Sequence, residues 1–144
     1  MLFNKQLYRH DPDNGVWGDC HRTAIACLLN LEPEQVPHFG RNGAPAETFH
    51  RRVDVFLRCC GLDTFAVLYP GETSLEDVLA TQGHLNPRNL YMLGGTSRTG
   101  CNHTVICRGG EIIWDPSLDD SGIIGPMDDG YWWISFLVPI HQVA

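Results

Sequence analysis

Apolar residues recur at helical spacing in two stretches of the first half of the chain. Ala24, Cys27, Leu28 and Leu31 predict one buried face on a helix from about Cys20 to Leu31. Asp19 stands at the N-cap, where a carboxylate accepts from the free amides of the first turn, and Glu32-Pro33 ends the run. Glu34 to Phe39 reads as a short turn of helix. A second helix is expected over about Ala46 to Cys60, with Phe49, Val53, Phe56, Leu57 and Cys60 on one side and Gly61 as its stop. Thr64 to Tyr69 reads as a strand closed by Pro70-Gly71. Ser74 then caps a short helix through Ala80, with Asp77 supplying part of a capping box.

Beyond that point the period falls to two and β-formers dominate. Leu90 to Leu93, Asn102 to Cys107, Glu111 to Trp114 and Tyr131 to Val138 are expected strands. Gly109-Gly110 between the second and third of these is a two-residue hairpin signal. Helices first and strands last predict an α+β fold, N-terminal helices packed on a C-terminal antiparallel sheet. With no repeats, low-complexity tracts or long linkers, residues 1–144 read as a single domain.

Composition narrows the function classes. A hydrophobic content of 43% with 19% charged residues belongs to a globular chain and not to a disordered one. The formal charge of −7 leaves no basic stripe for nucleic acid, and it disfavours an anionic membrane surface. Met1 to His10 has no apolar stretch of the secretory kind, and Trp132 to Ile140 is too short to cross a bilayer. The expected location is therefore the cytoplasm, with the six cysteines reduced.

One of those cysteines sits where its chemistry changes. Cys20 falls in the first turn of the expected helix, where free amides and the helix dipole favour an anion, and the thiolate is the reactive form of cysteine. Asp19 beside it opposes that charge unless its carboxylate is turned into backbone amides. His103 opens the strand Asn102-His103-Thr104-Val105-Ile106-Cys107. Asp115 ends the strand that pairs with it through the Gly109-Gly110 hairpin, so the two side chains finish near each other. A carboxylate there fixes the imidazole tautomer and leaves the other ring nitrogen for the thiol. An oxyanion donor is also needed. The Cys20 amide is one, and Asn14, six residues upstream, is the natural second, with Gln6 as the alternative.

Gly18-Asp19-Cys20, followed by a helix rich in alanine and leucine, resembles the nucleophile segment of papain-like cysteine peptidases. It is most similar to the double-glycine-leader (bacteriocin-processing) peptidase domains and their stand-alone relatives. Those share a histidine-led apolar strand, a glycine turn and an Asp-Pro step, here His103-Thr104-Val105-Ile106, Gly109-Gly110 and Asp115-Pro116. The resemblance implies a papain-like fold with Cys20 as nucleophile, His103 as base, Asp115 as third member and position 14 as oxyanion donor. The family usually carries glutamine where this chain has Asn14. The implied activity is hydrolysis of a peptide or isopeptide bond in a peptide or protein substrate, with no cofactor.

Other readings use the same residues. Acyl transfer to an amine, as in a transglutaminase, would run on the same three side chains, and a misaligned set would leave a binding module. Zinc is disfavoured because the chain has no C-x-x-C pair and Cys59-Cys60 is too tight for two ligands. Gly94 to Gly100 lacks the lysine of a phosphate loop and precedes a strand, so it is expected to be a mobile loop flanking His103. Arg51 and Arg52 are expected in solvent. Trp132 and Trp133 must point to opposite sides of their strand, and the outward one is expected to line a groove. Asp119, Asp120, Asp128 and Asp129 frame a loop expected near the site because it follows Asp115.

Overall fold

The computed structural model describes residues 1–140. Its helices are α1 (Cys20–Leu28), α2 (Ala46–Cys59) and α3 (Leu75–Leu85). Its strands are β1 (Leu62–Pro70), β2 (Leu90–Thr96), β3 (Asn102–Arg108), β4 (Glu111–Trp114) and β5 (Tyr131–Pro139). Every pairing is antiparallel and the spatial order is β1-β5-β2-β3-β4. The fold is thus α+β, but the expected order of helices followed by strands holds only in part. β1 precedes α3 in the chain and pairs along its full length with β5, from Leu62 opposite Pro139 to Pro70 opposite Tyr131.

Alternation along the central strands explains why helices cover both faces. Met92 of β2 and Ile106 of β3 pack with Ala24, Ile25, Cys27, Val53 and Leu57, so α1 and α2 lie on one side. Tyr91, Leu93, Val105, Trp132 and Ile134 pack with Val78 of α3 on the other. A sheet buried on both faces carries continuous apolar runs rather than a polar side, and Tyr91–Gly95 are all buried. Burying each large aliphatic side chain contributes roughly 1.5–3 kcal/mol, so two cores suit a chain of this size.

Element ends depart from expectation for local reasons. α1 stops at Leu28, and Asn30 takes a left-handed φ of 58°. α2 ends at Cys59, leaving Cys60 exposed and outside the apolar face assigned to it, and Gly61 follows at φ 74°. α3 runs five residues beyond Ala80, past a glycine that would ordinarily weaken it. Two contacts account for this. Buried Gln82 donates to the Tyr69 hydroxyl and accepts from Asn86, and a Cβ at Gly83 would meet Gly110 at 3.3 Å. The glycine lets the helix pass directly over the β3–β4 hairpin. Among the described residues no helix is long and apolar enough to cross a membrane.

Candidate active site

Cys20 is the first residue of α1, so its amide has no partner within the helix. Asp19 does not cap that helix with its side chain. Its carboxylate accepts instead from the amides of Leu7 (3.2 Å) and Tyr8 (2.9 Å) and from Arg22 Nε (2.9 Å). The charge is directed into backbone amides, as the sequence required, but those of a distant segment. Arg22, one turn along and itself buried, competes successfully for the carboxylate.

Two links bring the imidazole to the helix tip. α1 packs against β3, and His21 Nδ1 meets Thr104 Oγ1 at 3.1 Å, tying the neighbour of Cys20 to the neighbour of His103. Burial, then the proximity of His50, pushes His21 down to about 4, which leaves it neutral at physiological pH. Cys20 and His103 line one cleft, and Cys20 is among the groups that raise the imidazole. His103 Nε2 meets Asp115 Oδ1 at 2.6 Å, which leaves Nδ1 for the thiol.

Asp115 arrives by way of a β-bulge. The hairpin pairs Arg108 with Glu111 and Cys107 with Ile112, then slips one residue so that Ile106 opposes Trp114. β4 ends at Trp114, and Asp115, the next residue, meets His103 from just beyond the paired strand. The carboxylate is then held by the amides of Ser117 (2.9 Å, to Oδ1) and Gly122 (2.8 Å, to Oδ2).

These contacts set the charge state. Burial alone would push His103 down, but the hydrogen bond to Asp115 and the adjacent Cys20 outweigh it and raise the imidazole to about 9. Burial opposes ionisation of Asp115 too, yet the bond to His103 and the Ser117 amide hold it well below the usual carboxylate range. The pair is therefore imidazolium and carboxylate at neutral pH. Because the histidine is raised above its ordinary value of about 6.5, its stabilisation is complete below that pH and is lost as pH climbs through about 9. The contribution of Asp115, a depressed acid, is instead lost in strong acid. Asp115→Asn is expected to lower the His103 titration midpoint, followed by the NMR shift of its ring protons, by at least about one pH unit.

Asn14 is not brought to this site. It ends a 3-10 turn, Pro12–Asn14, is exposed, and donates to Asp11 Oδ2 at 2.7 Å. Bridging of Asp11 to Val16 throws residues 11–16 outward as a small loop, so sequence distance from Cys20 does not translate into position. Gln6 lines the same cleft as Cys20 and His103 and is buried. Its backbone amide donates to Pro116 O at 2.7 Å, and its side-chain amide uses one N–H on Tyr8 O, keeping a second.

The cleft holds about 1080 Å³ and runs from Gln6 past Cys20 to Trp133. Trp133 is the outward member of its pair, stacked on His50 and donating to Asp129 Oδ2 at 2.7 Å, whereas Trp132 is buried. The loop expected over Gly94 to Gly100 is shorter: Gly94 to Thr96 belong to β2, paired with Asn102 to Thr104, and only the turn closed by Ser97 N to Cys101 O at 2.9 Å flanks the cleft. Asp119, Asp128 and Asp129 also line it, with Asp119 paired to Arg9. Arg52 is not free in solvent: it donates to Phe39 O at 2.9 Å. A smaller cavity of about 470 Å³, between α3 and strands β1 and β5, contains no cysteine or histidine.

Of the remaining thiols, Cys101 lines the same cleft and is half-buried, as Cys20 is. Cys27 and Cys107 are buried and raised by that burial, Cys107 to about 12, while Cys59 and Cys60 are exposed. All six cysteines are free. Among the described residues no three His, Cys, Asp or Glu side chains gather to hold a metal ion. Comparison with protein-family models, with curated proteins and with solved structures gives no match for this chain.

Proposed function

We propose that the protein is a cysteine-dependent hydrolase of the papain-like type, acting on an amide bond in a peptide or protein through a thioester. One observation carries the reading: a thiol at a helix N-terminus shares an open cleft with an imidazole held by a carboxylate at 2.6 Å.

Each group has a step. The Cys20 thiolate attacks the carbonyl carbon, forming the C–S bond as the carbonyl π pair moves onto oxygen. In this scheme the Cys20 amide and the second Gln6 N–H are the donors to that oxyanion, a role supported by Gln6 lining the cleft. Collapse breaks the C–N bond, and the His103 imidazolium gives its proton to the leaving amine. Neutral His103 then takes a proton from water as it attacks the thioester, and the thiolate departs. Asp115 keeps the imidazole oriented throughout.

The test is turnover of a library of fluorogenic peptide amides, with acid-quenched samples weighed intact. Amide cleavage together with a hydroxylamine-labile adduct on Cys20 supports the hydrolase. Transfer of the acyl group to added amines, with little release to water, favours the transferase. Cleavage no faster than that of Cys20→Ala, with no adduct, ends the catalytic reading and leaves a binding module.

A further inference from the structure

We propose that Asp19 and Arg22 form a positioning pair that sets the Gln6 amide against the Cys20 thiol, an inference that rests on the hydrolase reading above. Asp19 has a fully buried side chain and occupies the position directly before the thiol. A buried carboxylate needs partners, and its three are specific: Leu7 N, Tyr8 N and Arg22 Nε. The two backbone donors directly follow Gln6 in sequence.

Arg22 secures the other side of this arrangement. Its Nη1 donates to Val36 O at 3.1 Å and its guanidinium lies 5.8 Å from the centre of the Tyr8 ring. Tyr8 in turn offers the carbonyl that receives the Gln6 side-chain amide. A continuous set of contacts therefore runs from the residue before the nucleophile, through Tyr8, to the amide. At the other end of the strap, Gln6 N is fixed on Pro116 O, beside Asp115. One short segment spans the helix that carries the thiol and the loop that carries the carboxylate. Its placement decides whether Gln6 reaches the oxyanion of the tetrahedral adduct that Cys20 forms.

Asp19 touches neither substrate nor the reacting atoms in this scheme, so its effect should vanish when Gln6 is absent. Two reactions of Cys20 separate the roles. Acylation by p-nitrophenyl acetate passes through a tetrahedral oxyanion, whereas alkylation by iodoacetamide displaces iodide at a methylene carbon and forms none. Asp19→Asn is expected to slow acylation by roughly ten- to a hundredfold while alkylation of Cys20 is not slowed. In a Gln6→Ala background the same substitution is expected to cost less than about threefold, because both changes remove one interaction.

Arg22→Lys, which keeps the charge but loses the fork between Asp19 and Val36, is run through the same cycle in case Asp19→Asn does not fold. Costs that add in full with Gln6→Ala, or alkylation that falls in step with acylation, overturn the positioning role and leave the hydrolase reading standing. A wild-type protein that releases p-nitrophenol no faster than Cys20→Ala fails at the earlier step, and both proposals fall together.

Discussion

Replacing His103 with alanine is expected to lower amide turnover by about four to six orders of magnitude, the range seen when one member of a cooperating nucleophile–base unit is removed. Two losses combine. The imidazole that would take up the thiol proton, raised to about 9 by its bond to Asp115 and by Cys20 against the effect of burial, is gone. No group then remains to protonate the leaving amine. Because the residues act as one device, Cys20→Ala should cost about as much, and the double variant little more than either single one. Assays of burst and steady-state release on the three variants check this. Fully multiplicative losses would mean that the two side chains work independently.

The second large effect separates Gln6 from Asn14. Gln6→Ala is expected to reduce turnover by about a hundred- to a thousandfold, the usual cost of removing one oxyanion donor. Asn14→Ala should leave turnover within about twofold, because that amide is exposed and engaged with Asp11. The informative readout is kcat, since an oxyanion donor acts on the transition state and not on substrate binding. The opposite ranking would show that residues 11–16 fold inward over the thiol during catalysis.

Those two residues also show where sequence reasoning reached and where it stopped. Local chemistry was legible. The Gly109-Gly110 turn placed β3 beside β4, and Cys20 fell at a helix start, because both depend on neighbours a few residues apart. The His103–Asp115 pairing was also anticipated from the hairpin, whereas the register shift at Ile106 and Cys107 was not, because nothing in Ile112-Ile113-Trp114 announces a bulge.

Long-range decisions were not legible. A six-residue spacing suggested Asn14, but Asp11-Pro12-Asp13-Asn14-Gly15 is itself a turn, and that turn carries Asn14 away from the thiol. Asp19 looked like a helix cap because Leu7 and Tyr8 cannot be known to lie beside it from spacing alone. α3 outran its expected end because Tyr69 and Gly110, distant in sequence, supply the contacts that hold Gln82 and Gly83. In each case a tertiary partner overrode a local preference.

The most direct measurement needs no substrate. Limiting iodoacetamide at pH 7, quenched early and mapped by peptide mass spectrometry, ranks the six cysteines by reactivity. Exposure alone would favour Cys59 and Cys60 over Cys20, which is only partly exposed. Activation by His103 is expected to reverse that order, with Cys20 labelled first and its lead lost in His103→Ala. Labelling led by Cys59 and Cys60, with Cys20 unaffected by the histidine, would contradict the assignment of Cys20 as nucleophile.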